Sequence, residues 1–203
     1  MKRPAKTSVK KPPLRDSITI NRAPVLTLWA AVVAERLGFN EDEALTLGKA
    51  VAGLNAQSKG RRLGIFKPHE EKPHKAREKK RGEEFWIEVC GRPVPAKNTE
   101  KGIRAVKGAD PIDPDGVRRY MQSKFGDDLN RVQKAMTKLA KSFKPKELAE
   151  MAYRLYERFR PAIPEGVSGW GAKGELDLGL IDTLGNVSGS GNPSSKASEP
   201  GRS

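Results

Sequence analysis

The sequence has little of several residue types on which common protein chemistries depend. Cys90 is the only cysteine, so an internal disulfide is excluded and a reducing, cytoplasmic compartment is expected. His69 and His74 are the only histidines, and their spacing relative to Cys90 matches no familiar zinc site. We therefore expect a protein without a disulfide framework and without a bound metal.

Long apolar stretches are also lacking. Hydrophobic residues make up 36% of the chain, and no run of them approaches the length that spans a bilayer. The N-terminus is basic, but no apolar segment follows it as a signal peptide would require. The composition predicts a modest core with polar flanks and no membrane partner.

No catalytic constellation of Ser-His-Asp, Cys-His or paired-carboxylate type can be singled out. Residues 169–174 match the pattern G-x-G-x-x-G, but prolines precede them and no helical pattern follows. We expect a glycine loop around Trp170 there rather than a nucleotide site. The sequence thus predicts a protein without cofactor or enzymatic activity, and an enzyme with an unrecognised site stays an alternative.

Positive charge, by contrast, is abundant and unevenly distributed. The net charge is +14, from 39 Lys and Arg against 25 Asp and Glu. Residues 1–16 hold 6 basic and 1 acidic side chains, residues 59–82 hold 10 and 3, and residues 111–160 hold 12 and 7. Such blocks attract nucleic-acid phosphates, although a solubilising surface is the alternative.

Periodicity predicts a mainly α protein: a helix hairpin, a three-helix C-terminal region, one small β-hairpin and disordered termini. The hairpin is expected from residues 85–90 and an edge strand at 92–96, because the prolines of the second segment cannot donate to a ladder. A short helix is expected at 98–106.

The composition also predicts how the chain is divided. Residues 1–16 are interpreted as a disordered basic arm, 17–182 as one helical domain with a charged loop at 67–84, and 183–203 as a disordered Gly/Ser-rich tail. Two subdomains split at 67–82 are the alternative.

Residues 33–47 are the clearest local motif. A helix is expected to end near Gly38, and Asn40 and Glu43 form a capping box for the next one. The placement of small and apolar residues resembles the helix-turn-helix family of DNA-binding proteins. That resemblance implies a second helix able to enter a DNA groove. A plain helix hairpin is the alternative, because the first turn, 41–43, is wholly acidic and would be repelled by phosphates.

Basic side chains beside and beyond this hairpin are therefore the better candidates for phosphate contact. One set follows the hairpin, and the other forms a stripe on a helix predicted at 127–143, for which an ordinary solvated face is the alternative. The candidates are Lys59, Arg61, Arg62, Lys67, Arg131, Lys134, Lys138 and Lys141.

Two functions are consistent with these patterns. The first is a non-enzymatic nucleic-acid-binding protein, with duplex DNA as the expected partner. The second is a protein-interaction or homo-oligomerising adaptor that docks through a smooth helix face formed by Gly48, Ala52 and Ala56.

Overall fold

The computed structural model of the protein describes residues 16–62, 84–167 and 171–187. The elements in chain order are β1 (Ser17–Asn21), α1 (Arg22–Arg36), α2 (Glu41–Arg62), β2 (Glu84–Val89), β3 (Arg92–Thr99), β4 (Gly102–Lys107), β5 (Asp110–Pro111), α3 (Pro114–Phe125), a 3₁₀ turn (Gly126–Asp128), α4 (Leu129–Lys141), α5 (Pro145–Phe159), β6 (Lys173–Asp177) and α6 (Leu178–Val187). The predicted helices on either side of the turn near Gly38 are confirmed as α1 and α2, and the helix predicted at 127–143 is confirmed as α4, shorter by two residues at each end.

The fold class predicted from the sequence is wrong in its β content. Instead of one hairpin, the described residues form a four-stranded antiparallel sheet, ordered β2-β3-β4-β5, and a two-stranded sheet that pairs β1 with β6. The segment 98–106, expected to be helical, instead contains the end of β3, a turn and most of β4. Its sequence has no strong period, so the pairing between Thr99 and Gly102, rather than local propensity, determines its conformation.

The prolines of β3 are accommodated by the register of the sheet. Cys90 and Gly91 form the loop between β2 and β3, both with positive φ, and Val89 pairs with Arg92 across it. The amides of Pro93 and Pro95 would therefore face the side of β4, but pairing with β4 begins only at Ala96. Residues 92–95 therefore pair with β2 alone, as expected for an edge strand. Ala96 and Lys97 pair with both β2 and β4.

One hydrophobic core joins the sheet to the helices. Trp29 is fully buried on α1, donates its indole N–H to the carbonyl oxygen of Ala152 at 2.8 Å, and meets Phe159 edge to face. Leu184 on α6 is also buried, so ordered structure extends past the tail boundary predicted at 183. Among the described residues, no helix combines the length and hydrophobicity needed to cross a bilayer.

Close approach of α1 and α2 depends on one small residue. A Cβ atom built on Gly48 would lie 2.4 Å from the carbonyl oxygen of Thr27 and 2.8 Å from the amide nitrogen of Ala31. Because Gly48 and Ala52 are buried inside the protein, the face proposed for an adaptor is already largely occupied. The structure therefore does not leave this face open for a partner.

Candidate functional site: a basic helix face and a cavity lined by Glu35

The helix hairpin at residues 33–47 has the geometry that its sequence predicts. Asn40 accepts a hydrogen bond from the amide of Glu43 at 3.0 Å, and Glu43 accepts one from the amide of Asn40 at 3.1 Å, so the predicted capping box is confirmed. The acidic side chains of the first turn of α2, however, contact residues of β4 and α3.

Each acidic side chain of that first turn has a partner inside the protein. Glu43 accepts from the amide of Ile103 at 2.9 Å, and Asp42 pairs with the buried Arg104 at 3.1 Å. Arg118 contacts Glu41 at 3.2 Å and also binds Asp42. Hydrogen bonding to Asp42 raises the pKa of Arg118 above its usual value. These carboxylates thus hold β4 and α3 against α2 and are paired within the protein, although Glu41 stays largely exposed to solvent.

The basic residues predicted at the end of α2 are only partly described. Lys59 and Arg62 are exposed on its last turns. Arg61 belongs to the same helix, but its side chain lies outside the described structure, and Lys67 lies outside the described residues altogether. Residues 169 and 170 of the predicted glycine loop lie outside the described residues, and so do both histidines, His69 and His74.

The basic stripe predicted on α4 is present as a distinct surface. Val132, Met136 and Leu139 are buried on one side of the helix, and the opposite side lines an open concave surface. The described residues that line this surface are Asn130, Gln133, Lys134, Thr137, Lys138 and Lys141. No residue of α2 is among them, so the two predicted basic sets are not brought together there.

The four predicted cations of α4 differ in their pairing. Arg131 pairs with Asp128 at 3.1 Å and lies outside the concave surface, and Lys138 pairs with Asp182 of α6 at 2.9 Å. Lys134 and Lys141 are exposed and have no ion-pair partner within the described part of the chain. These two lysines are seven residues apart, or about 10 Å along the helix axis.

The amide and hydroxyl side chains of this surface were missed in the sequence. Asn130, Gln133 and Thr137 lie at helical spacings from Lys134 and Lys141, so a helical-face analysis that included neutral donors would have found them. Such side chains donate hydrogen bonds to phosphate oxygens. We refer to the six lining residues together as the α4 polar face.

A second feature is a cavity of about 360 Å³ between α1, α2, α3 and α4. Apolar side chains form much of its wall, including Leu28, Val32 and Leu129, and Glu35 lies beside them. Burial and, to a lesser extent, the nearby charge of Glu41 raise the pKa of Glu35 above its ordinary value of 4.5. Nothing in the sequence indicated this cavity, because its walls come from four separate helices.

The raised pKa predicts that Glu35 reduces the stability of the protein at neutral pH. A carboxyl whose pKa is higher in the folded than in the unfolded state binds its proton more tightly when folded, so stability falls as pH rises through this window. We expect Glu35→Gln to raise the free energy of unfolding at pH 7 by less than about 1 kcal/mol, since the group is only half-buried. The gain should disappear below about pH 4.

Thermal unfolding of the wild type and Glu35→Gln at pH 7 and pH 4 checks this expectation. Glu150→Gln, at an exposed carboxylate of α5, makes the same change of charge and serves as the control. A lower melting temperature for Glu35→Gln at pH 7 would contradict the prediction.

Other chemistry-bearing groups give no further candidate. Burial raises the pKa of the Cys90 thiol to about 12, so it stays protonated and is a poor nucleophile near neutral pH. The described residues contain no group of three or more His, Cys, Asp or Glu side chains arranged to hold a metal ion. Comparisons of the chain with protein-family models, with curated proteins and with solved structures found no match.

Proposed function

We propose that this protein binds nucleic acid, with duplex DNA as its ligand, and that the α4 polar face contacts the phosphate backbone. The observation that carries the proposal is the arrangement of three lysines and three neutral hydrogen-bonding side chains on one exposed helix face. Lysines supply charge by displacing counterions, and the neutral side chains supply directional hydrogen bonds to phosphate oxygens. Binding of this kind positions a duplex without reading its sequence.

The charge distribution along the chain supports the same proposal. Lys144 and Lys146 are exposed and follow directly after α4 in the chain, while residues 1–16 and 59–82 add excess positive charge of 5 and 7. We propose that these segments increase affinity without specifying sequence. Groove reading by the first turn of α2 is not part of the proposal, because its carboxylates bind Arg104 and Arg118. A cytoplasmic location is proposed from the single cysteine.

Charge reversal on the α4 polar face tests the proposal. We expect Lys134→Glu/Lys141→Glu to weaken binding to a 20-base-pair DNA duplex by about tenfold or more at 100 mM salt. The slope of log affinity against log salt should become shallower by about 2, one for each lost phosphate contact. Fluorescence anisotropy between 50 and 200 mM salt measures both quantities.

Two further variants separate a local contact from a general effect of charge. Lys101→Glu/Lys173→Glu changes the net charge equally at exposed positions away from α4, and should weaken binding much less. Asp182→Asn releases Lys138 from its ion pair and should strengthen binding. Equal losses in the two double variants, or no binding of the wild type at 50 mM salt, would refute the proposed role of α4.

A further inference from the structure

The cavity between α1, α2, α3 and α4 shares one lining residue, Gln133, with the α4 polar face. One charged group of the cavity has no partner. Arg118 is bound by Glu41, Asp42 and Asp115, and Arg119 lies 3.6 Å from Asp113. Glu35, by contrast, has neither a side-chain hydrogen bond nor an ion pair within the described part of the chain. The cavity therefore presents an unpartnered carboxylate, whereas each of its two arginines lies beside at least one carboxylate, and Arg118 lies among three.

The surroundings of Glu35 restrict what could neutralise it. Burial disfavours the charged carboxylate, and the like charge of Glu41 adds to that effect. A cation in the cavity would relieve both penalties. The neighbouring walls are apolar, formed by Leu28, Val32 and Leu129, whose side chains cannot ligate an ion.

The same walls distinguish between kinds of cation. A hard metal ion is held mainly by several carboxylate and carbonyl oxygens, and no group of three or more acidic, His or Cys side chains in the described residues is placed to hold one. An organic cation needs one charged partner and an apolar surface for its carbon atoms. The volume of about 360 Å³ lies within the range of small-molecule sites.

We propose that this cavity binds a small organic cation, an alkyl- or arylammonium ion, with its ammonium group against Glu35 and its carbon body on Leu28, Val32 and Leu129. The charge of Glu35 disfavours organic anions. Neutral molecules of the same shape bind more weakly, because they leave the carboxylate without a partner.

A matched ligand series tests this assignment on the full-length protein. Hexylamine, hexan-1-ol and hexanoate share one carbon chain and differ in the charge of the head group. Titrations at pH 7.5, followed by two-dimensional NMR, should give the tightest binding for hexylamine, weaker binding for hexan-1-ol and none for hexanoate. The amide shifts should be centred on residues 28–35, 118–122 and 129–133.

Removal of the carboxylate provides the decisive comparison. Glu35→Gln should weaken hexylamine binding by about tenfold or more and leave hexan-1-ol binding nearly unchanged. Glu150→Gln, with the same change of net charge, should bind both ligands as the wild type does. Hexylamine that binds Glu35→Gln as well as the wild type, hexanoate that binds as tightly as hexylamine, or shifts centred elsewhere would each overturn the assignment. No nucleic acid is present in this experiment, so its result is independent of the DNA-binding proposal.

Discussion

Gly48→Ala is expected to lower the free energy of unfolding by about 2–3 kcal/mol, although alanine is the better helix former. The added methyl group would meet the backbone of α1, 2.4 Å from the oxygen of Thr27 and 2.8 Å from the nitrogen of Ala31. Backbone atoms cannot rotate away as a side chain can. The two helices must therefore separate, and buried contacts along both of them loosen.

Gly53→Ala provides a matched control on the same helix. A Cβ atom at Gly53 meets nothing within 4 Å, and the position is exposed. This variant should be more stable than the wild type by up to about 1 kcal/mol, because alanine loses less backbone entropy on folding. Urea unfolding at equilibrium measures both changes, and a Gly48→Ala protein as stable as Gly53→Ala would contradict the close packing of α1 and α2.

Thr46→Val is expected to lower the free energy of unfolding by about 1–3 kcal/mol. Thr46 is fully buried at the junction of α2 with the sheet. Its hydroxyl donates to the carbonyl oxygen of Glu43 at 2.8 Å and accepts from the amide of Ala105 at 3.1 Å. Valine has nearly the same shape but leaves the amide of Ala105 in β4 without its acceptor. A buried donor without an acceptor lowers stability.

Thr27→Val is the control for this change. Thr27 is equally buried, but its hydroxyl only donates to the carbonyl of Ala23 in its own helix, at 2.9 Å. We expect a loss within about 1 kcal/mol. Urea unfolding compares the two variants, and hydrogen exchange at the Ala105 amide should become faster in Thr46→Val alone. Similar losses for both threonines would show that the link from α2 to β4 contributes little.

The local sequence was sufficient for helices α1 to α5 and for the hairpin of β2 and β3, but it did not predict α6. Asn40 with Glu43 predicted a capped helix start, and the apolar stripe through Val132, Met136 and Leu139 predicted α4 with its basic side outward. The alternation through Phe85 and Ile87 predicted a strand, with Trp86, which is 65% exposed, on the other face. In each case the signal lies within a few residues and needs no distant partner.

The remainder of the larger sheet, β4 and β5, could not be predicted in the same way. Gly102–Lys107 carries no clear alternation, and its strand is stabilised by pairing with β3 and by two side chains of α2 far away in sequence, Glu43 and Thr46. The pairing of β1 with β6 joins segments more than 150 residues apart, as in Ser17 with Asp177. Such pairings depend on the whole fold and leave little trace in a short window.

The features of the two candidate sites also differ in whether local sequence or tertiary packing determines them. The sequence by itself determined the excess of positive charge, the hairpin at residues 33–47 and the stripe of lysines on α4, because each depends on composition or on the period of one helix. Only the tertiary structure decided that the acidic first turn of α2 binds Arg104 and Arg118, that Lys138 is paired with Asp182, and that Glu35 lies unpartnered in a cavity. These features depend on which helices and strands pack together, and that packing is set by burial of the whole core at once.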